Sequence, residues 1–377
     1  MMQTGFSLTD YDYPLPQALI AQYPAKPRDA SRMMHLPKTE GDISHYSFLD
    51  LPSLLNPGDL LILNDVRVSP CRLLGQKQND NRSLGARADV LLLEALNERQ
   101  TEWQAFLKPA KRLPPGTRVI IDDPQARGAS LTILETPHSE AESETLMPGK
   151  VSLDLGAFQS VPECLSALGH MPLPPYLGRS PEASDQQTYQ TTFAQGTAKA
   201  MAAPTASLHF TPRVFEALVK KGVQTAMLTL EVGAGTFLPV KAQDIRAHQL
   251  HAERYFVPAA TLAKINATKA AGKRVIAVGT TVTRTLEAIG ALTADTLRAS
   301  PPYLPERDLT GESSLFIYPG FTFGVIDGLL TNFHLPQSTL LMLVSALAGR
   351  KRVLNAYNQA VQDSYRFFSY GDCMLIL

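Results

Sequence analysis

The spacing of apolar residues changes along the chain and separates two kinds of region. Between residues 68 and 155, short apolar runs alternate with glycine, proline and charged residues, which predicts a small antiparallel sheet or barrel. Before and after this block, strand patterns alternate with helix patterns, which is typical of α/β organisation. The pattern predicts an α/β main domain formed by residues 1–67 and 156–377, with an inserted all-β, barrel-like smaller domain at 68–155.

Turn and capping residues predict where several elements begin and end. The run Asn56-Pro57-Gly58-Asp59 predicts a turn before a strand at 60–63. Thr211 and Pro212 predict the start of a helix, and Gly222 predicts its end. The other expected elements are strands at 88–93, 103–107, 117–121, 131–134, 151–155, 223–232 and 274–278, and helices at 258–271, 279–289 and 338–348.

Length and charge exclude several classes of protein. The 377 residues contain 35 Lys+Arg and 35 Asp+Glu, and 44% of them are hydrophobic. This composition excludes an intrinsically disordered chain, a collagen-like repeat and a small disulfide scaffold. A net charge of zero argues against non-specific coating of nucleic acid, but it is compatible with a local basic patch.

Basic residues form two such local groups. Lys108, Lys111 and Arg112 surround a proline-rich turn, and Arg67 and Arg72 lie at the predicted domain junction. Groups of this kind neutralise phosphates or remain solvated loop charges, and the residues alone leave both readings open.

Nothing in the sequence indicates secretion or membrane insertion. The three cysteines, Cys71, Cys164 and Cys373, are scattered and contain no C-x-x-C pair, which is typical of reduced thiols. The N-terminus lacks the order of a signal peptide, and the most apolar stretch, 340–347, is too short to span a bilayer. We expect a cytoplasmic monomer without membrane contact.

Two glycine-rich segments follow predicted strands. Gly233-Ala234-Gly235-Thr236 follows the strand at 223–232, and Gly279-Thr280-Thr281 opens a helix. Backbone N–H groups at such positions bind anions or polar ligand groups. Neither segment matches a P-loop or a dinucleotide fingerprint, so two tight turns remain the alternative.

Histidines and glutamates near these segments could perform acid–base chemistry. His209, His251 and His334 are candidates because imidazole titrates near neutral pH. Glu231 ends a strand directly before the first glycine-rich segment, and Glu253 follows His251. His248, His251 and Glu253 resemble metal ligands, but their spacing fits neither a metalloprotease helix nor a Cys/His finger, so no metal is expected.

Read together, these motifs resemble those of the S-adenosylmethionine:tRNA ribosyltransferase-isomerase family of queuosine biosynthesis. The resemblance extends over nearly the whole chain in the same order. The matching strings are Asn56-Pro57-Gly58-Asp59-Leu60-Leu61, His170-Met171-Pro172-Leu173-Pro174-Pro175-Tyr176, Tyr189-Gln190-Thr191, Ala202-Ala203-Pro204-Thr205-Ala206, Leu208-His209-Phe210, Val232-Gly233-Ala234-Gly235-Thr236-Phe237, His251 with Glu253, Val275-Ile276-Ala277-Val278-Gly279-Thr280-Thr281, Ile317-Tyr318-Pro319-Gly320-Phe321, Thr331-Asn332-Phe333-His334-Leu335-Pro336 and Arg366-Phe367-Phe368-Ser369-Tyr370-Gly371-Asp372.

The resemblance implies a reaction and its partners. Such enzymes transfer the ribosyl part of S-adenosylmethionine onto 7-aminomethyl-7-deazaguanine at the tRNA wobble position and isomerise it, giving epoxyqueuosine-tRNA, adenine and methionine. S-adenosylmethionine is then a consumed cosubstrate, the partner is tRNA bearing that base, and no metal is expected. The family has an α/β main domain and an inserted β-barrel.

The chemistry of this reaction favours particular residues for its acid–base, nucleoside-binding and tRNA-binding roles. The residues expected to perform acid–base and orienting roles are His209, His251, Glu253, His334 and Glu231. The residues expected to hold the nucleoside or phosphate groups are Gly233, Gly235, Thr236, Gly279, Thr280, Thr281 and Arg284. The residues expected to bind tRNA are Arg67, Arg72, Lys108, Lys111 and Arg112.

Three positions depart from the family pattern. Glu231 replaces the usual histidine, and Ser207 and Lys199 replace usual glycines. Glutamate in place of histidine changes the local charge, and serine in place of glycine restricts the backbone. Two alternatives therefore stay open: a diverged paralogue that uses S-adenosylmethionine with a different acceptor, and a non-catalytic RNA-binding protein.

Overall fold

The chain folds into two compact units. The computed structural model describes residues 5–81, 83–136, 148–196, 198–233, 242–292 and 304–377. The first unit comprises Met1–Arg67, Pro175–Arg179 and Gln190–Leu377, and the second comprises Val68–Pro174 and Ser180–Tyr189. The second unit thus continues beyond residue 155, where the sequence pattern places the end of the inserted domain. The domain limits read from the sequence stay a prediction.

A nine-stranded mixed sheet forms the centre of the first unit. Its strands are β1 (Arg32–Leu36), β2 (Ser44–Ser47), β3 (Leu60–Asn64), β12 (Gln224–Leu230), β13 (Glu253–Val257), β14 (Val275–Val278), β15 (Leu309–Ser313), β16 (Gly328–Asn332) and β17 (Cys373–Ile376). Their order across the sheet is β15-β13-β12-β3-β14-β16-β17-β1-β2. The four strands at the centre, β12, β3, β14 and β16, run parallel, and their neighbours β13 and β17 run antiparallel to them.

Strand β3 lies in the middle of the core, and its five residues are all buried. Leu60 and Ile62 contribute to one apolar cluster, and Leu61 and Leu63 to the other. Successive side chains of a strand point to opposite faces, so a continuous apolar run is what a strand covered on both faces requires. The α/β class predicted for the main domain is confirmed.

Helices cover both faces of this sheet. They are α1 (Leu51–Leu54), α4 (Pro212–Lys221), α5 (Ala259–Ala270), α6 (Thr280–Leu292), α7 (Thr339–Ala348) and α8 (Arg350–Gln362). Val214 and Leu218 of α4 pack on one face, whereas α5, α6 and α7 pack on the other. Gly222 ends α4 with φ of +79°, a conformation that suits glycine.

The second unit contains a closed six-stranded barrel, which confirms the predicted barrel-like domain. The order of strands around it is β10-β7-β6-β5-β8-β9. These strands are β5 (Arg72–Gln78), β6 (Leu84–Ala95), β7 (Glu102–Lys108), β8 (Arg118–Ile121), β9 (Ser130–Glu135) and β10 (Gly149–Asp154). The remaining elements of the chain are β4 (Arg67–Val68), α2 (Val161–Leu168), α3 (Asp185–Thr188) and β11 (Ala198–Ala200).

Two further expectations concern cysteines and membranes. Cys71, Cys164 and Cys373 are buried and form no disulfide. Burial raises the pKa of the Cys71 thiol to about 12 and that of Cys164 to about 11. None of the helices in the described part of the chain combines the length and apolarity needed to cross a bilayer.

Candidate active site

The predicted site residues of the first unit converge on one edge of its sheet. Because the four central strands are parallel, their carboxyl ends meet there, at Asn64, Leu230, Val278 and Asn332. Strand β13 runs the other way, so its first residue, Glu253, lies at the same edge. Ligands of α/β proteins bind beyond the carboxyl ends of strands, which makes this edge the candidate site.

His209 connects two parts of this edge through its imidazole. Its Nε2 lies 3.0 Å from Oδ1 of Asn332, and its Nδ1 lies 2.9 Å from Oγ of Ser31. The Asn332 amide nitrogen donates to the carbonyls of Phe368 (2.9 Å) and Ser369 (3.2 Å), so its Oδ1 accepts and Nε2 of His209 donates. Burial lowers the pKa of His209 to about 4, so the ring is uncharged at neutral pH.

His334 is fixed by three hydrogen bonds, one through its ring and two through its backbone. Its Nε2 lies 2.8 Å from Oγ1 of Thr331, its backbone N–H donates to the Tyr357 hydroxyl at 3.1 Å, and its carbonyl accepts from the Tyr13 hydroxyl. Burial lowers the pKa of His334 to about 3. Neutral imidazoles fixed in this way orient their neighbours and make weak general bases at pH 7.

The segment 366–372 forms a constrained loop beside His209. Asp372, which is 1% exposed, accepts hydrogen bonds from the Arg366 side chain (2.9 Å) and from the backbone N–H of Arg32 (3.0 Å). Phe368 has φ of +73°, which is a strained conformation for an aromatic residue. Its ring centroid lies 4.1 Å from that of Tyr176. Strain of this kind is characteristic of ligand sites.

Gly279 and helix α6 build the second part of the edge. Gly279 has φ of +95°, which turns the chain from strand β14 into α6. One turn into the helix, the guanidinium of Arg284 pairs with the carboxylate of Glu253. Both side chains are nearly inaccessible, at 8% and 7% exposure. The predicted residues Gly279, Thr280, Arg284 and Glu253 therefore lie together.

Glu231 lines an open cleft at the same end of strand β12. Its backbone N–H donates to the carbonyl of Arg254 at 2.9 Å, and Arg254 lies opposite Glu312 on the next strand. The cleft has a volume of about 490 Å³. It is lined by Thr229, Glu231, Arg254, Tyr255, Phe256, Thr310, Gly311 and Glu312. Thr229 also donates to Asp65 at 2.7 Å, and burial raises the pKa of that carboxyl group.

The predicted tRNA-binding residues divide between the units. Lys108, Lys111 and Arg112 are exposed and follow one another at the end of β7 and in the 3₁₀ turn Ala110–Arg112 of the barrel unit. Arg72 is paired with Asp89 at 2.5 Å, which neutralises its charge. Arg67 belongs to the first unit, is exposed and donates to the Ala194 carbonyl at 3.0 Å.

Comparison with known proteins identifies the family. The family model described as "Queuosine biosynthesis protein" matches residues 8–376. The chain belongs to the queuosine biosynthesis protein family. It is 44% identical to an S-adenosylmethionine:tRNA ribosyltransferase-isomerase of Geotalea uraniireducens over 369 residues, which is 98% of this chain and 99% of the relative.

Two further relatives of this family support the same assignment. A protein of the same name from Nostoc is 46% identical over 98% of this chain and 92% of its own. A crystal structure of S-adenosylmethionine tRNA ribosyltransferase from Thermotoga maritima is 35% identical, with a TM-score of 0.51, and covers 98% of this chain and all of its own. The predicted resemblance to the queuosine family is confirmed.

Some predicted residues of this queuosine-family chain lie outside the core of the edge. His251 is exposed and lies two residues before Glu253, the first residue of strand β13. Gly233 ends the described segment before residue 234, and Gly235 and Thr236 fall outside the described residues. Ser207, one of the departures from the family pattern, is fully buried, and no described residue accepts from or donates to its Oγ.

Sequence reasoning missed several residues that this family member uses to build the edge. Asn332 and Ser31 fix the ring of His209, and Asn64 joins β3 to β12 through two 3.1 Å hydrogen bonds with Leu230. Away from this edge, Glu287, which is 2% exposed, accepts from the backbone N–H groups of Gly324, Val325 and Ile326, just before β16 begins. Asn332 lies in a matching string, Thr331–Pro336, which was the available signal.

The acidic side chains at this end of the sheet divide between its two faces. Glu231 shares a face with Thr229, which donates to Asp65, whereas Glu253, paired with Arg284, lies on the other face together with the N-terminus of α6 and its backbone donors. Arg284 Nε is a buried donor without an acceptor among the described residues. No group of three His, Cys, Asp or Glu side chains in the described ranges is arranged to hold a metal ion.

Proposed function

We propose that this chain transfers and isomerises the ribosyl group of S-adenosylmethionine onto 7-aminomethyl-7-deazaguanine in tRNA, releasing adenine and methionine. S-adenosylmethionine is the consumed cosubstrate, tRNA bearing that base is the partner, and the reaction takes place in the cytoplasm. The observation that carries the proposal is the convergence of carboxylates, helix donors and fixed imidazoles on one sheet edge of a queuosine-family fold.

The chemistry determines what the edge must provide. The sulfonium charge acidifies the adjoining 5′ carbon, so a base must remove a proton there. A carboxylate close to that charge stabilises it in a poorly hydrated site. We assign this role to Glu231, proton transfer to His251, which is exposed, and an orienting role to Glu253, whose charge is paired with Arg284.

The other predicted residues hold the reactants in place. His209 and His334 are buried and hydrogen-bonded, so we assign them orienting roles. Gly279, Thr280 and Thr281 start α6 and offer backbone donors to the nucleoside. Their neighbours in this assignment are Gly233, Gly235, Thr236 and Arg284. Exposed Lys108, Lys111 and Arg112, together with Arg67 and Arg72, are assigned to the tRNA backbone.

One incubation tests the proposal. The purified protein is mixed with S-adenosylmethionine and tRNA carrying 7-aminomethyl-7-deazaguanine, and adenine release and the mass of the modified nucleoside are followed. We expect tRNA-dependent adenine release with the epoxyqueuosine mass. Adenine release without tRNA would identify a paralogue with another acceptor. tRNA binding without any turnover would identify an RNA-binding protein.

A further inference from the structure

Arg284 is a buried arginine with an unused donor. Its guanidinium pairs with Glu253, but its Nε finds no hydrogen-bond partner within the ranges that the structure describes. Only 8% of its side chain is exposed, so water satisfies this N–H poorly. An unpaired buried donor on a charged group is costly, and an acceptor supplied by a ligand removes that cost.

The start of α6 offers further donors in the same place. Helix α6 begins at Thr280, and the N–H of Thr283 is the first to bond within the helix, to the Gly279 carbonyl at 3.2 Å. The N–H groups of Thr280, Thr281 and Val282 precede any intrahelical acceptor. Helical side chains lean towards the N-terminus, so Arg284 leans towards these N–H groups. The helix has 13 residues, and its dipole favours an anion there.

The signs of the charges indicate which anion fits. Arg284 is already paired with Glu253, so the pair has no net charge, and Glu253 places a negative charge within contact distance of the guanidinium. A phosphate site gathers excess positive charge, whereas a zwitterion matches a site that presents both signs. A free amino acid end has this character, with a carboxylate and an ammonium on one carbon.

Burial separates this site from one for tRNA phosphate. Phosphates of a folded RNA are contacted by exposed lysines and arginines, as Lys111 and Arg112 are exposed in the barrel unit. Arg284 and Glu253 are both more than nine-tenths buried. A small ligand that is enclosed on binding can contact the buried Arg284–Glu253 pair, whereas the phosphates of an RNA backbone stay at the protein surface.

We infer that the N-terminus of α6 and Nε of Arg284 bind the α-carboxylate of the methionyl end of S-adenosylmethionine, and that Glu253 faces the positive charges of the same ligand. This inference rests on the proposed function, because it assigns one end of the cosubstrate. It makes Arg284 a specificity-determining residue for a ligand with a free carboxylate.

The first test uses the wild-type protein and two ligands. Titration calorimetry compares S-adenosylmethionine with decarboxylated S-adenosylmethionine, which keeps the sulfonium, the amine and the nucleoside. Loss of a charge-assisted acceptor at a buried arginine is expected to weaken binding about 10- to 100-fold. Equal affinities would overturn the inference. If the protein binds neither ligand, the proposed function fails as well. tRNA-dependent turnover then distinguishes failure of this inference alone, in which turnover persists, from failure of the proposed function, in which it does not.

The second test moves to the residue itself. Arg284→Lys keeps a positive charge for Glu253 but removes the Nε donor. We expect S-adenosylhomocysteine to bind about 10-fold more weakly or worse, while 5′-methylthioadenosine, which lacks the amino acid end, binds as before. Equal weakening of both ligands would mean a merely structural role. Weaker tRNA binding with unchanged S-adenosylhomocysteine binding would identify a phosphate site, and either result overturns the inference.

A matched control lies at the opposite edge of the same sheet. Arg274 pairs with Asp59 at 2.5 Å, and Asp59 is 1% exposed, so Arg274→Lys perturbs a comparable ion pair away from the site. Both nucleoside ligands are expected to bind this variant as they bind the wild type. If Arg284→Lys does not fold, the inference is still tested by comparing S-adenosylmethionine with decarboxylated S-adenosylmethionine on the wild-type protein.

Discussion

The imidazole of His209 donates from Nε2 to Oδ1 of Asn332 across 3.0 Å, and this hydrogen bond joins two segments 123 residues apart. The bond fixes the tautomer of a neutral ring in the core of the candidate site. A buried neutral histidine next to a functional edge also makes the folded state sensitive to acid, because only the unfolded chain takes up the proton readily.

Stability should therefore fall below neutral pH. The pKa of His209 is lowered from 6.5 to about 4, so the unfolded state binds more protons between these values, and stability is lost as pH falls through that window. Between pH 7.5 and 5.0 this one group contributes a loss of about 2 kcal/mol. Urea unfolding at both pH values measures the total loss, to which His334, whose pKa is lowered to about 3, also contributes.

His209→Gln isolates the contribution of this ring, because glutamine does not titrate. The variant is expected to lose about 2 kcal/mol less than the wild type over the same pH range, whatever its stability at pH 7.5. Identical pH dependence in both proteins would show that His209 takes up its proton as readily in the folded state as in the unfolded one.

Glu231 should matter for turnover more than its neighbour across the cleft. Replacement of Glu231 by Gln removes the negative charge that we assign to the sulfonium, and kcat/KM for S-adenosylmethionine is expected to fall about 10- to 100-fold. Glu312→Gln is the matched control, because Glu312 is exposed, lines the same cleft and has no assigned role. Equal activity of Glu231→Gln and Glu312→Gln would show that Glu231 has no role in catalysis.

The exposed basic turn of the barrel unit is expected to bind tRNA through its backbone. Lys111→Ala combined with Arg112→Ala should weaken tRNA binding and reduce the slope of log K against log salt by about 2, one for each phosphate contact. Turnover at saturating tRNA should change little. Arg127→Ala is the control, because its guanidinium lies over Phe158 and near Glu163. An unchanged salt slope in the double variant would place the tRNA elsewhere.

Capping residues and short apolar runs correctly predicted the helices and strands in which they occur. Helix α4 begins at Pro212 and ends before Gly222, as its capping residues indicate, and five of the six barrel strands, all except β5, fall on the short apolar runs. The elements that were not predicted include strands β1, β2, β5, β13, β15, β16 and β17 and helices α2 and α8. Strand β17 has four residues and gains its place only by pairing with β16 and β1, at great distance in sequence. No local pattern encodes such pairing.

In the candidate site, too, the sequence indicated which residue types perform chemistry but not which residues contact one another. His209 and Glu253 were chosen because imidazole and carboxylate groups perform acid–base chemistry. Arg284 was also chosen from the sequence, but its pairing with Glu253 and that of His209 with Asn332 follow only from the folded arrangement of strands and helices. The candidate residues could therefore be chosen from the sequence, whereas these two pairs of contacting residues could be identified only from the folded structure.

Glu287 provides a prediction about how the fold supports the site. Its two carboxylate oxygens accept three backbone N–H groups, from Gly324 at 2.8 Å, Val325 at 3.0 Å and Ile326 at 2.9 Å, just before strand β16. Glu287→Gln keeps the shape but directs an NH₂ group at one or more of these donors. Since buried donors are left without acceptors, unfolding should become easier by about 2–4 kcal/mol.

Hydrogen exchange distinguishes a local effect from a global one in this variant. The amides of Gly324, Val325 and Ile326 should exchange faster in Glu287→Gln than the buried amides of strand β3, because they lose their own acceptor. Glu216→Gln, on the exposed face of α4, is the control and should stay within about 0.5 kcal/mol of the wild type. Equal protection of the three amides in both variants would mean that the carboxylate of Glu287 does not hold this segment, and the entry into β16, with Asn332 at its far end, would then depend on the sheet alone.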